Sequence, residues 1–188
     1  MCDTKTEAIS ATVAQILKLE KEGCDIIRVA IPNEKAAKAI SKIKRRIHIP
    51  LVADIHFDPA LALEAIAQGA DKIRINPGNI NDKDILTKII KTAKKHKTQI
   101  RIGINSGSLE RRLIDKHGGP TPEALVESAL NWVKFFELQK FPTANRKNLT
   151  ISIKSSDVET TIQANELLHK KLQKRKTQCP IHLGVTEA

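Results

Sequence analysis

Charged and amide side chains lie at or near the ends of short, apolar, β-rich runs along this sequence. Residues at positions i and i+2 of a strand point to the same side, so polar residues near one strand end can act together. In chain order these residues are Arg28, Asp54, His56, Arg74, Asn76, Arg101, Asn105, Lys154 and Glu187. Planar guanidinium groups bind phosphate oxygens through paired hydrogen bonds. The set therefore points to a small substrate that carries two or more negative charges.

Each single cation also has a structural explanation. An unpaired buried charge is costly, so a neighbouring carboxylate such as Asp54 or Glu187 could pair with it. Four cations on otherwise apolar runs are better explained together by an anionic substrate.

Three residues have roles that their types leave open. His56 could donate a proton, contact a phosphate, or cap the helix that the pair Asp58-Pro59 predicts. Asp54 and Glu187 could act as general acid or base, or could only orient the cations. Spacing does not decide between these roles.

Two polar loops follow strand ends that carry an arginine. They are Asn76-Pro77-Gly78-Asn79 and Asn105-Ser106-Gly107-Ser108. Each precedes a predicted helix, where exposed backbone N–H groups suit an anion. We expect both loops to bind the same anion as the arginines.

Strand and helix patterns alternate along the chain, which predicts a parallel α/β fold. The predicted strands are Asp25–Ile31, Leu51–Ile55, Lys72–Asn76, Gln99–Asn105, Leu149–Lys154 and Ile181–Val185. A helical pattern precedes each strand. The first runs from Thr6 to Glu22 with Gly23 as its stop, and another begins at Asp58-Pro59 and ends at Gly69.

Apolar stripes at helical spacing predict three further helices. Their stripes are Ile85, Leu86, Ile89, Ile90 and Ala93; Leu125, Ala129, Val133 and Phe136; and Val158, Ile162, Leu168 and Leu172. No G-x-G-x-x-G string follows a predicted strand, so a barrel is favoured over a dinucleotide-binding sheet.

Chain length sets how much of a barrel is present. A complete (β/α)8 barrel needs about 250 residues, or about 31 for each unit. The 188 residues therefore correspond to about six units. We expect residues 1–188 to form a partial TIM-barrel substrate-binding domain that lacks the first and last strands. The strands at 25–31 and 181–185 would then be unpaired edges.

Composition argues against several classes of protein. No apolar window is long enough for a membrane span, and no secretory leader is recognisable. The net charge of +11 is concentrated at predicted helix C-terminal ends, where cations are favourable. No aromatic residue is interleaved with a basic run, so we expect neither a nucleic-acid partner nor a membrane partner.

The cysteines and histidines do not form a recognisable metal motif. Cys2, Cys24 and Cys179 are far apart and odd in number, which is typical of a reduced cytosolic chain. The histidines have no metal-ligand spacing. We expect no metal ligand in this chain.

Several long strings, in the same order, carry a resemblance to a known family. They are Asp25–Val29, Pro50–Asp58, Arg74–Ile80, Arg101–Glu110, Pro120–Leu125, Ile153–Asp157 and His182–Ala188. The chain resembles the 4-hydroxy-3-methylbut-2-enyl diphosphate synthases of the non-mevalonate isoprenoid pathway. The likeness extends over essentially the whole chain.

The resemblance implies a reductive opening of 2-C-methyl-D-erythritol 2,4-cyclodiphosphate with loss of water. In that family a [4Fe–4S] cluster delivers two electrons from ferredoxin or flavodoxin. By this likeness, the diphosphate would be held by Arg28, Arg74, Arg101 and Lys154, helped by His56, Asn76 and Asn105. Asp54 and Glu187 would line the same pocket near the carbon skeleton, so that the catalytic set is Glu187, Asp54 and His56.

The chain also departs from the family. Met1 stands where a Gln-Ser-Met string at the end of the family's first strand would finish. The eighth strand and the C-terminal iron–sulfur domain have no counterpart in residues 1–188, and the three cysteines lie outside any ligand motif. We therefore expect a fragment that holds no cluster and is inactive alone. The full-length enzyme would be a homodimer in the cytoplasm of a bacterium or in a plastid stroma.

Two other functions would use the same cationic strand ends. One is a phosphate-handling TIM-barrel enzyme without a cluster, such as an aldolase, an isomerase or a pterin-type synthase. The other is a non-catalytic diphosphate-binding module. Turnover that depends on a cluster would separate the first from the leading hypothesis, and binding without turnover would indicate the second.

Overall fold

A computed structural model of the chain describes residues 1–55, 58–80, 82–143, 148–175 and 179–185. Its strands are β1 (Ile27–Ala30), β2 (Leu51–Asp54), β3 (Lys72–Ile75), β4 (Gln99–Asn105) and β5 (Leu149–Lys154). They belong to one five-stranded sheet in the order β1-β2-β3-β4-β5. β1 pairs with β2, and β2 with β3, in parallel. The predicted parallel α/β fold is confirmed.

Helices connect the strands, as the alternating pattern predicts. They are α1 (Ile9–Lys21), α2 (Glu34–Lys44), α3 (Pro59–Ala67), α4 (Lys83–His96), α5 (Arg111–His117), α6 (Pro122–Leu138) and α7 (Val158–Lys174). The predicted start of α3 is confirmed, because the Asp58 side chain accepts a hydrogen bond from the Ala60 N–H at 2.8 Å. Asp82 and Asp157 cap α4 and α7 in the same way.

The chain folds into two compact units. Unit 1 comprises Met1–Ile75 and Asp82–Ile100, and unit 2 comprises Asn76–Asn81 and Arg101–Ala188. The core of unit 1 is aliphatic, with Ile16, Ile27, Ile40, Ile43, Leu51, Ile66, Ile73, Ile75 and Leu86 buried. The core of unit 2 combines aliphatic residues with aromatic rings, and Phe136 is its largest fully buried side chain.

The predicted stripe of α7 is only half right. Leu168 and Leu172 are buried, but Val158 and Ile162 are 57% and 48% exposed. Ile162 precedes Leu168 by six residues, which at about 100° per residue places it on a different face. The buried face carries Thr161 instead, whose hydroxyl donates to the Ser155 carbonyl at 3.2 Å. The apolar pattern could not predict this buried polar residue. Thr161 is buried because its hydroxyl satisfies a backbone carbonyl at the end of β5.

The two predicted strand edges differ from expectation. Residues beside β1 partly cover its edge, since the Cys2 N–H donates to the Arg28 carbonyl at 2.9 Å and the Thr6 hydroxyl to the Ala30 carbonyl at 2.6 Å. The predicted strand at 181–185 is reduced to one parallel bridge between Ile151 and Ile181. Beyond that bridge Leu183 and Val185 are exposed, so no hydrophobic surface within the described part of the chain holds them in strand form.

Phe136 tests the core of unit 2. Its ring packs edge-on against Phe141, with centroids 5.6 Å apart. We predict that Phe136→Ala lowers the free energy of unfolding by about 3 to 5 kcal/mol, because it leaves a cavity in a packed core. The matched control is Leu138→Ala on the same helix, where the side chain is 69% exposed and the loss should be under about 0.5 kcal/mol. Equal losses in urea unfolding would contradict this core assignment.

Candidate anion-binding site

Three of the predicted site residues meet in unit 1 at the carboxyl ends of neighbouring strands. The parallel register aligns Ala30 with Asp54 and Asp54 with Arg74. Arg28 lies two residues before Ala30 on β1, so its side chain points to the same side of the sheet. These side chains therefore converge on Asp54.

The Asp54 carboxylate lies between two guanidinium groups. Its Oδ1 is 3.2 Å from Nη1 of Arg74, and its Oδ2 is 3.5 Å from Nε of Arg28. The Asp54 side chain is 4% exposed, and those of Arg74 and Arg28 are 12% and 33% exposed. The structural ion-pair explanation is thus confirmed for Arg28 and Arg74. One carboxylate between two cations still leaves a net positive charge at this strand end.

The arginines keep further hydrogen-bonding capacity. A guanidinium has five N–H donors. Nε of Arg74 is buried and has no hydrogen-bond partner among the described residues, and Nε of Arg28 also contacts the Met1 sulfur at 3.2 Å. A buried donor left without a partner is destabilising, which is the arrangement expected where a ligand oxygen supplies the acceptor.

In unit 2, the two predicted polar loops pack against each other. Nδ2 of the buried Asn76 donates to the Ser108 hydroxyl at 2.7 Å. A Cβ atom added to Gly78 would lie 2.4 Å from the Ser108 carbonyl oxygen, so only glycine permits this approach. The loops at 76–79 and 105–108 therefore form one packed pair.

The first loop does not present its backbone donors as expected. The Gly78 N–H donates to Oδ1 of Asn76 at 3.1 Å, and the Asn79 N–H donates to the Asn76 carbonyl at 3.0 Å. Pro77 has no N–H. The expectation that these N–H groups are exposed to an anion is wrong, because the turn closes on itself through Asn76. The role of the Asn76 side chain in binding stays a prediction.

The second loop and the end of β5 carry the remaining described site residues. Arg101 on β4 is 6% exposed, and Oδ1 of Asn105 is buried without a hydrogen-bond partner among the described residues. A Cβ atom on Gly107 would meet no atom within 4 Å, so this side of the loop is open. Lys154 ends β5, and its Nζ would be 3.2 Å from a Cβ atom on Gly184.

Each unit therefore holds its own share of the predicted set. Arg28, Asp54 and Arg74 lie in unit 1. The other described site residues lie in unit 2, namely Asn76, Arg101, Asn105 and Lys154. His56 and Glu187 lie outside the described residues.

Sequence reasoning missed two residues that shape the loops, Ser108 and Glu110. Ser108 fixes Asn76, and Glu110 accepts hydrogen bonds from Ser128 and Trp132. The signal for Ser108 was present in the turn-forming string that contains it. Glu110 carried none, because its partners follow 18 and 22 residues later.

The cysteines of this chain do not fit an iron–sulfur cluster. Among the described residues there is no group of three or more His, Cys, Asp or Glu side chains that could hold a metal ion. A cluster needs thiolates. Burial raises the pKa of Cys2, and it raises the pKa of Cys179 to about 12. No step through a cluster is derived from these residues.

Gly78 and Gly107 provide a matched test of the loop pair. We predict that Gly78→Ala destabilises the protein by about 1 to 3 kcal/mol, because the new methyl group meets a backbone carbonyl that cannot rotate away. Gly107→Ala adds the same atom in open space and should change stability by less than about 0.5 kcal/mol. Thermal unfolding of the two variants checks this. A Gly78→Ala protein as stable as Gly107→Ala would contradict the close packing.

Solved structures share this fold at low sequence identity. The dihydropteroate synthase of Yersinia pestis superposes with a TM-score of 0.57 at 11% identity, covering 93% of this chain and 65% of that one. A dihydropteroate synthase from Clostridium difficile, determined with pteroic acid, gives a TM-score of 0.57 at 16% identity over 95% of this chain and 67% of that one. At such identities the likeness concerns the fold alone.

Curated relatives are much closer in sequence. A 4-hydroxy-3-methylbut-2-en-1-yl diphosphate synthase (flavodoxin) from Caldicellulosiruptor saccharolyticus is 54% identical over all 188 residues, which cover 51% of that protein. Proteins of the same name from Caldanaerobacter subterraneus and Lysinibacillus sphaericus are 52% and 50% identical, again over the whole chain and over 50% and 48% of their own lengths. The chain thus spans about half the length of these relatives.

The helices and the family of the chain give two further findings. Among the described residues, no helix combines the length and the apolar character that crossing a bilayer requires. The model of the GcpE TIM-barrel domain matches residues 1–188. This chain belongs to the GcpE TIM-barrel domain family.

Proposed function

We propose that residues 1–188 are the substrate-binding barrel part of a 4-hydroxy-3-methylbut-2-enyl diphosphate synthase. The complete enzyme opens the ring of 2-C-methyl-D-erythritol 2,4-cyclodiphosphate, taking up two electrons and two protons and releasing one water. The observation that carries the proposal is the 54% identity to a named synthase along the entire chain. The cationic strand ends support it, because their chemistry suits a diphosphate.

In unit 1, the proposed task of Asp54 is to hold two guanidinium groups in a fixed orientation. Its carboxylate contacts Arg28 and Arg74 from one buried position. Held in this way, the arginines lose little side-chain entropy when phosphate oxygens arrive. The unpartnered Nε of Arg74 is a donor available for one of those oxygens. Asp54 would remain close to the carbon skeleton of the bound substrate.

In unit 2, we propose that Arg101 and Lys154 bind phosphate oxygens, as the family resemblance implies. Asn105 would donate to the anion from its amide Nδ2, while its Oδ1, which has no partner among the described residues, would accept from a substrate hydroxyl. Asn76, which lies in the packed loop pair, would help to bind the diphosphate. His56 as a phosphate contact or proton donor and Glu187 as an acid or base stay predictions that rest on the family resemblance.

The electron supply belongs to the complete enzyme. The relatives are named for flavodoxin, so we propose flavodoxin as the donor. The [4Fe–4S] cluster would be bound by residues outside this chain and would deliver the two electrons. A homodimer is proposed for the complete enzyme. Residues 1–188 would contribute binding and orientation of the substrate.

The alternative of a barrel enzyme without a cluster receives no specific support. The dihydropteroate synthases share the fold at 10% to 16% identity, which says nothing about their chemistry in this chain. The identity to named diphosphate synthases is several times higher. A diphosphate-binding barrel is thus the function that the observations favour.

Arg74 tests the proposed binding directly. We predict that Arg74→Ala weakens the affinity for the cyclic diphosphate by at least about 1.5 kcal/mol, or roughly twelvefold, because a charge-assisted hydrogen bond is lost. Titration calorimetry on the purified protein measures this. The control is Arg111→Ala, whose side chain is 85% exposed and pairs with Asp115 on α5.

The control variant should bind as the wild type does. If a folded Arg74→Ala protein keeps the wild-type affinity, Arg74 is not part of the site. If the wild type binds no cyclic diphosphate but does bind a pterin diphosphate, the barrel without a cluster replaces the proposed function.

A further inference from the structure

Glu110 is a carboxylate whose two oxygens both bind one helix. Its Oε2 accepts a hydrogen bond from the Ser128 hydroxyl at 2.7 Å, and its Oε1 accepts one from the indole N–H of Trp132 at 3.0 Å. Ser128 and Trp132 are four residues apart on α6, so they lie on the same face of the helix. Ser128 is 1% exposed, which places the contact inside unit 2.

The position of Glu110 in the chain gives this contact its meaning. Glu110 directly precedes α5 and ends the segment that leaves β4 at Asn105. Leu109 beside it is buried. The segment 105–110 is therefore held at its far end by the helix α6 and at its near end by the sheet.

The same segment carries the other polar loop. Ser108 accepts the Asn76 side-chain hydrogen bond at 2.7 Å, and Gly78 comes close to the Ser108 carbonyl. A continuous set of contacts thus runs from the loop at 76–79, through Ser108 and Glu110, to α6. All of these residues belong to unit 2.

The chemistry of the contact indicates a geometric role. Ser128 and Trp132 are neutral donors, so Glu110 does not neutralise a cation through them. A carboxylate in such bonds fixes direction and distance more firmly than a neutral acceptor, because charge-assisted hydrogen bonds are shorter and stronger. Loops that bind an anion with little reorganisation need such an anchor.

We propose that Glu110 is a positioning residue that anchors the packed loops at 76–79 and 105–108 to α6, and thereby holds the β4 side chains Arg101 and Asn105 in place for the phosphate groups of the substrate. This proposal rests on the proposed function, since the anion is the one assigned there. Glu110 itself does not touch the anion.

The test compares three variants of the protein with the wild type. Glu110→Ala removes both acceptors. Glu110→Gln keeps the shape, with its carbonyl facing Trp132 and its amide facing the Ser128 oxygen. Glu123→Ala, which removes an exposed carboxylate from the first turn of the same helix, is the control.

Two measurements are made on each variant, amide hydrogen exchange without ligand and calorimetric titration with inorganic pyrophosphate. We expect Glu110→Ala to speed exchange at 105–109 and 76–80 by at least about tenfold and to weaken pyrophosphate binding by a similar factor, equivalent to about 1.4 kcal/mol. Glu110→Gln should restore both to within about threefold of the wild type, about 0.6 kcal/mol. Glu123→Ala should change neither.

Trp132 supplies a spectroscopic readout, since it is the only tryptophan in the chain. Its emission should shift in Glu110→Ala, where the indole N–H loses its acceptor, and return in Glu110→Gln. Pyrophosphate should alter the emission of the wild type but not that of Glu110→Ala. If Glu110→Ala does not fold, Ser128→Ala removes one donor and should give smaller changes in the same directions.

The outcomes separate the two proposals. Wild-type exchange or wild-type pyrophosphate affinity in a folded Glu110→Ala protein overturns the role of Glu110 and leaves the proposed function standing. If the wild type binds neither pyrophosphate nor the cyclic diphosphate, the proposed function is overturned, and with it the positioning of loops for that anion.

Discussion

A single buried carboxylate shared by two guanidinium groups sets the character of the candidate site. Asp54 at the end of β2 contacts Arg28 from β1 and Arg74 from β3. The parallel register produces this arrangement, because it aligns the end of β2 with its two neighbours. The carboxylate lowers the cost of burying the arginines, yet it cannot cancel both charges. We propose that an anionic ligand completes this site.

In unit 1, ion pairs hold the candidate site residues in position, whereas in unit 2 close packing and hydrogen bonds hold the polar loops. Its two polar loops are fixed by the Asn76 side chain, by the absence of a side chain at Gly78, and by Glu110, which accepts hydrogen bonds from α6. The first loop uses its own backbone donors to close its turn. Binding in this unit would therefore depend on side chains of β4 and β5. The packed loops would keep those side chains in position.

The sequence predicts what local chemistry determines. The positions of β1 to β5, the capped start of α3 at Asp58, and the residues of the Arg28, Asp54 and Arg74 group follow from periodicity and from polar residues at strand ends. Features that depend on distant partners were not predictable in this way. Glu110 needs α6 to acquire its role, and the buried face of α7 is recognisable only once Thr161 meets the Ser155 carbonyl.

The sequence also does not determine whether Arg28 and Arg74 pair with Asp54 or with a ligand. The sequence pattern places Arg28 and Arg74 on the strands before and after β2, but an ion pair and a free anion site predict the same residue types. The structure adds the distances and the burial of Asp54, and with them the excess of positive charge. Structural pairing and ligand binding are thus compatible explanations of the same arginines.

The most direct test of this account is a crystal structure of the protein with 2-C-methyl-D-erythritol 2,4-cyclodiphosphate. We predict phosphate oxygens at about 2.7 to 2.9 Å from guanidinium nitrogens of Arg28 and Arg74, with Asp54 still paired to both. The buried Nε of Arg74 should gain an acceptor. A ligand bound elsewhere, with both arginines contacting Asp54 alone, would contradict the central claim that this shared carboxylate prepares a diphosphate site.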